Sequence, residues 1–134
     1  MATTELIDLA VQASKNAYVP YSHFPIGAAL KTKSGKIYQG CNIENASFGL
    51  TNCGERTAIF KAISEGYRDL EEIAIYGETQ KPISPCGACR QSLSEYETKQ
   101  QQPIPVYFMG AKGSIIRTES IKDLLPFLFD GSLL

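Results

Sequence analysis

The sequence has one histidine, His23, and no run of lysines or arginines; 13 basic against 14 acidic residues leave a formal net charge of -1. A nucleic-acid groove needs clustered positive charge, so this balance argues against one. No apolar stretch approaches the ~18–20 residues of a membrane span. Met1-Ala2-Thr3-Thr4-Glu5 lacks the basic and apolar regions of a secretion signal. There is no linker, low-complexity segment or internal repeat. His23 is far in sequence from every cysteine pair and reads as an exposed loop residue. What is present is ordinary for a globular protein, with 43% hydrophobic and 20% charged residues. The 134 residues suit a single domain, 1–134, large enough to bury its own core. Four cysteines without an export signal point to a reducing compartment, where thiols bind metal more often than they form disulfides. The expected location is cytoplasmic.

Hydrophobic periodicity places the elements. Thr3 or Thr4 can cap a first helix carrying Leu6, Ile7, Leu9, Ala10, Ala13 and Ala17, which Pro20 ends. Ile26–Thr32 and Ile37–Cys41 read as a hairpin around Lys33-Ser34-Gly35-Lys36. A polar loop from Asn42 to Asn52 leads to Cys53, and Ala58, Ile59, Ala62 and Ile63 then mark a helix that stops near Gly66. Leu70–Tyr76 is a buried strand, and Cys86 opens a second helix with Leu93 and Tyr96 inward. Strands over Pro103–Met109 and Ser114–Arg117 follow, then a last helix over Ile121–Leu125 capped by Thr118 or Ser120. Strands alternating with helices imply an α/β fold, a three-layer sheet with helices on both faces. The turn at Gly110–Gly113 is too short for a crossover, so the last two strands should be antiparallel.

The chemistry concentrates at Pro85-Cys86-Gly87-Ala88-Cys89-Arg90 and Cys53-Gly54-Glu55-Arg56. Cysteines three apart share one face of a helical turn and can grip one ion. Both segments lie where a loop enters a helix, and free N–H groups there favour thiolates. Cys53, Cys86 and Cys89 then make a three-thiolate zinc site with one corner open, as a catalytic zinc requires. Glu55 beside that corner can move protons. Two alternatives stay open: a structural four-thiolate site that adds Cys41, and a redox dithiol of Cys86 and Cys89. Three thiolates on Zn²⁺ leave one excess negative charge, which a guanidinium donated by Arg56 would offset; a surface salt bridge is its plainer role. Asn42 and Glu44, two apart in an extended segment, suit a pair of sugar hydroxyls or simply a turn.

Cys53-x-Glu55 followed by Pro85-Cys86-x-x-Cys89 resembles the zinc deaminase signature. Tyr21-Ser22-x-Phe24, Gly27-Ala28-Ala29-Leu30, Gly40-Cys41-Asn42-Ile43-Glu44-Asn45-Ala46 and Asp123-Leu124-Leu125-Pro126-x-x-Phe129 extend the resemblance over nearly the whole chain. Together they resemble the cytidine deaminases, the short free-nucleoside type with a three-cysteine site. The resemblance implies an α/β/α sandwich with a mixed five-stranded sheet and one Zn²⁺ per chain. It implies hydrolysis of the 4-amino group of cytidine and deoxycytidine, with Glu55 as proton shuttle. Phe24, Asn42, Glu44, Ala46, Gly54 and Phe129 match substrate-binding positions of that family. Phe48 stands where relatives often carry tyrosine. Family members of this length are homotetramers with shared active sites. Runner-up readings are a blasticidin S deaminase-like aminohydrolase and a zinc-stabilised binding module; a nucleic-acid-editing deaminase lacks its basic surface.

Overall fold

Alternation along the strands sorts their side chains onto two faces, and helices cover both. The computed structural model describes residues 3–134. Five strands, β1 (Ile26–Thr32), β2 (Ile37–Cys41), β3 (Leu70–Gly77), β4 (Val106–Met109) and β5 (Ile115–Thr118), form one sheet in the order β2-β1-β3-β4-β5. β3 and β4 pair in parallel, while β1–β2, β1–β3 and β4–β5 are antiparallel. The mixed sheet and the antiparallel final hairpin follow the sequence expectation.

Helix α1 (Thr3–Ser14) packs Leu6, Ile7 and Ala10 on Ala29, Ala74 and Tyr107, one residue from each of three neighbouring strands. The alternate residues Ala28, Leu30, Ile73, Ile75, Val106 and Phe108 face the other way. There they meet Ala58, Ile59 and Ala62 of α2 (Gly54–Ser64) and Leu93 of α3 (Gly87–Gln100). The layers are therefore α1, sheet, and α2 with α3. A fully buried leucine or isoleucine contributes ~1.5–3 kcal/mol by leaving water, so each face carries enough apolar area to fix its helices.

Several boundaries differ from the sequence reading. α1 ends at Ser14, not near Ala17, because Lys15, Asn16 and Ala17 donate three residues back and Tyr18 then bonds Asn42 O. Both Thr3 and Thr4 lie inside α1, and the position ahead of them is outside the described residues. β4 starts at Val106, since Pro103 and Pro105 have no N–H to give a ladder. The last helix is a single 3₁₀ turn, Ile121–Asp123; Ser120 and Asp123 close a capping box around it, and Pro126 stops extension. Beyond this turn Leu124 and Leu125 pack against the core, while Phe127 and Phe129 are exposed in the single chain.

One close approach sets where α2 begins. A Cβ built on Gly40 of β2 would lie 2.3 Å from Gly54 O and 2.6 Å from Ala58 N, so only glycine lets the first turn of α2 rest on the strand. Gly40→Ala should displace that turn, which carries Glu55, and destabilise the protein by ~1–3 kcal/mol. Thermal unfolding against wild type checks this; an unchanged melting temperature would refute it.

Candidate active site

β2 and β3 flank β1 and run alike, so Gly27 pairs with Cys41 on one side and Tyr76 on the other. The loops that follow them leave the sheet at the same end. One delivers Cys53 to the start of α2, the other delivers Cys86 to the start of α3. Both cysteines are N-caps with extended backbone, at φ -75°, ψ 156° and φ -67°, ψ 169°, and neither side chain makes a capping hydrogen bond. A serine or aspartate there would turn its oxygen onto the helix N–H groups; these sulfurs stay free for another partner.

The sulfurs converge. Cys53 Sγ is 3.7 Å from Cys86 Sγ, Cys86 Sγ is 3.4 Å from Cys89 Sγ, and all three lie within 4.8 Å of one another. A tetrahedral zinc with ~2.3 Å bonds to sulfur has sulfur–sulfur edges of ~3.8 Å, so the cluster already has the right span. Three soft thiolates from two segments are a zinc donor set. Among the described residues Cys41 is not part of the cluster, so the four-thiolate alternative fails. The redox alternative leaves Cys53 without a role, although it sits as close to Cys86 as a third ligand should.

Charge follows geometry. Arg56 Nη2 donates to Cys53 Sγ at 3.1 Å, and Arg56 Nε is buried without a partner among the described residues. A hydrogen bond from the Cys89 thiol, helped by Arg56, pushes Cys53 down to about 5. Cys89, fully buried and donating that proton, is pushed up. Arg56 is raised in turn, chiefly by its bond to Cys53. The fixed cation beside the sulfurs fits a site that holds several thiolates at once. Glu55, 5% exposed, is pushed up to about 7, first by burial; its own backbone N–H opposes this and the Cys53 thiolate adds to it. A carboxyl poised near neutrality can both take and give a proton.

A cleft of about 170 Å³ opens onto the cluster, lined by Asn42, Asn52, Cys53, Gly54, Glu55 and Cys86 among others. Asn42 Oδ1 accepts from Ile26 N and its Nδ2 donates to Phe24 O, both at 2.9 Å, so Phe24 is tied to the cleft wall through its backbone. Glu44 lines an adjoining hollow with Tyr21, Ser22 and Phe48, and Thr51 borders both spaces. Its carboxylate accepts from Tyr21 N, Ser22 N and the Ser22 hydroxyl, which hold it below the usual carboxylate range, the hydroxyl most of all. Ala46 and Phe129 are exposed and do not line the cleft of their own chain. His23 is exposed in a loop, as read from the sequence.

Residues 2–102 match the family described as the cytidine and deoxycytidylate deaminase zinc-binding region. The chain belongs to this deaminase family. It is 47% identical to the cytidine deaminase of Sporosarcina psychrophila, over 96% of this chain and 92% of that one. It is 50% identical to the cytidine deaminase of Halalkalibacterium halodurans, over 92% and 91%. The crystal structure of cytidine deaminase from Burkholderia pseudomallei superposes with a TM-score of 0.90 at 47% identity, covering 96% of this chain and all of that one. Likeness to the blasticidin-S deaminase of Bacillus cereus is weaker, 29% over 93% of this chain and 90% of the relative. The cofactor of this deaminase chain is zinc, for which the cysteine cluster has the span and the donors.

Sequence reasoning missed the residues that hold the ligand peptides. Thr57 Oγ1 donates to Cys53 O at 2.9 Å, and Asn52 Nδ2 donates to Thr57 Oγ1 at 3.2 Å. The four-residue step from Cys53 to Thr57 was the available signal, since it puts both on one helix face. The Glu55 environment carries a stability signature in the metal-free protein. Its ordinary pKa of 4.5 rises to about 7 on folding, so its protonated form favours the folded state. That stability is fully present below pH ~4.5 and is lost as pH rises through ~7, on the order of 3 kcal/mol. Denaturant melts of metal-stripped wild type and Glu55→Gln across this range should diverge with rising pH, wild type weakening; parallel profiles would refute it.

Proposed function

We propose that the chain is a hydrolytic cytidine deaminase, converting cytidine and deoxycytidine with water to uridine and deoxyuridine plus ammonia. The observation that carries this reading is Glu55, buried in the cleft beside three convergent sulfurs with its carboxyl near neutrality. Cys53, Cys86 and Cys89 would hold the zinc, which when bound supplies Lewis-acid activation of water. Glu55 would take one proton of that water and deliver it to pyrimidine N3 as the oxygen adds to C4, then pass the remaining hydroxyl proton to the 4-amino group as the C4–N bond breaks and ammonia leaves. Arg56, already bonded to Cys53 Sγ, offsets the excess negative charge of three thiolates and keeps water ionisation accessible at neutral pH.

Sugar recognition falls to Asn42 and Glu44. Asn42 has a second N–H beyond the one given to Phe24 O, and Glu44 Oε2 has an acceptor site beyond the Ser22 hydroxyl. Each side chain is thus anchored and still able to meet a ribose hydroxyl. Gly54 borders the cleft where a substrate would lie against backbone; Phe24, read from the sequence as a substrate aromatic, packs its side chain against the core and meets the cleft only through its carbonyl, held by Asn42. The blasticidin S-type alternative is less favoured because this pair suits a ribose diol. A binding module has no use for a near-neutral carboxyl beside its metal.

The activity test is the fall in near-ultraviolet absorbance of cytidine on adding the protein. Glu55→Gln should abolish that fall and keep one zinc per chain, because Glu55 moves protons without binding the metal. Loss of zinc in the variant, or near-normal turnover, would overturn the assignment.

The pyrimidine-salvage role, a cytoplasmic location and one domain over residues 1–134 belong to the same reading; among the described residues no helix is long and apolar enough to cross a membrane. So does a homotetramer with shared active sites. Its support is apolar exposure: Phe48 is 78% exposed, Leu50 71% and Phe127 fully so, a costly set to leave in water. Ala46 and Phe129, away from their own cleft, would then serve a neighbouring one. Sedimentation at four times the 14.7 kDa chain mass is expected, and a monomer at assay concentration would refute the shared site.

A further inference from the structure

Of the three sulfurs, that of Cys86 has the least packing to hold it. Cys89 is fully buried, and Cys53 is half-buried with Arg56 and Thr57 bonded to its sulfur and carbonyl. Cys86, Gly87 and Ala88 are all exposed, and a Cβ added to Gly87 would meet nothing within 4 Å. Packing anchors the loop as far as Ile83 and the buried Pro85 but does not reach the Cys86 side chain. Hydrogen bonds to the flanking peptides take over there, and they come from one residue.

Arg90 meets both peptides that flank Cys86. Its main-chain N–H makes the ordinary opening helix bond of α3 to Cys86 O at 3.0 Å, and its side chain adds Nε to Pro85 O at 2.7 Å. Nη2 reaches Ser84 Oγ at 3.1 Å, one residue further back. Nη1 turns the other way and donates at 2.6 Å to Leu124 O, just past the 3₁₀ turn. The next residue, Gln91, donates from Nε2 to Phe129 O at 2.9 Å. Three successive positions on α3 thus face the metal cluster, the ligand loop with the C-terminal segment, and the tail. A planar guanidinium spreads rigid donors over such a set, whereas an ammonium on a flexible stem can serve only part of it.

We propose that Arg90 is a positioning residue that holds the Cys86 loop in metal-binding geometry and ties it to the C-terminal segment through Leu124 O, so that zinc retention and order in the tail depend on one side chain. The inference rests on the zinc reading of the cysteine cluster. Groups that orient metal ligands typically carry 10–100-fold in metal affinity. An exposed ligand with no packing of its own should sit within that range.

The test is competition for zinc between the whole protein and a chromophoric chelator, for wild type, Arg90→Lys and Arg90→Gln, with amide exchange followed over 124–129. Arg90→Lys keeps the charge and the stem, so it guards against a misfolded Arg90→Gln. Arg90→Lys is expected to lose zinc ~10-fold more readily while its metal-free melting temperature stays at the wild-type value, and exchange over 124–129 should quicken. Arg90→Gln should lose more. A folded Arg90→Lys that holds zinc as tightly as wild type, or exchanges its tail no faster, overturns the brace alone. A wild-type chain that takes up no zinc overturns the brace and the functional reading together.

Discussion

Three sulfurs on two segments have to meet within bonding distance of one ion, and the sheet beneath decides whether they can. β1 is the hinge of that arrangement. Because β2 and β3 both run antiparallel to it, their C-terminal ends lie on either side of Gly27, and their loops rise from one end of the sheet. The parallel β3–β4 pair requires a crossover, and α3 is that crossover. Its N-terminus is thereby aimed at the N-terminus of α2. Gly40 then lets α2 lie directly on β2. Fold and metal site are one constraint seen at two scales.

The same placement sets the electrostatics. Two helix N-termini bring free N–H groups and dipole ends toward the cluster, and Arg56 adds a full charge. Negative charge is favoured on Cys53, while Glu55, two residues on and buried, is held near neutrality. A thiolate and a protonatable acid can share one small cleft because their partners differ: Cys53 accepts from the Cys89 thiol and from Arg56, whereas Glu55 is governed first by burial. The wall opposite is built by Asn42, which spends one acceptor and one donor on the chain around Phe24 and Ile26.

Buried polar groups tie segments whose free N–H groups the ladder and helices leave unpaired. Glu97, 7% exposed on α3, accepts from Ile104 N, Ile121 N and the Ser120 hydroxyl, and so joins α3 to the approach to β4 and to the 3₁₀ turn at Ile121–Asp123. Arg90 does the like for the Cys86 loop. Neither was legible in the sequence, where Glu97 looks like any helix-surface glutamate and Arg90 like the residue after a ligand. Their partners lie 7 to 24 and up to 34 positions away, and no local pattern encodes that.

What the sequence determined by itself is what short-range chemistry controls. Alternation located the strands, glycine and proline located their turns, and Cys53-x-Glu55 with Cys86-x-x-Cys89 named the metal chemistry, because ligand identity and spacing are properties of a few consecutive residues. Tertiary structure decided the strand order, the loss of a fourth helix to a single turn at Ile121–Asp123, the separation of Cys41 from the other three sulfurs and the exposure of Phe127 and Phe129. It also decided that Glu55 is pushed up to about 7, since desolvation depends on which distant side chains close over a carboxyl. Burial and convergence are sums over neighbours brought together by the sheet, and a chain read one residue at a time does not contain them.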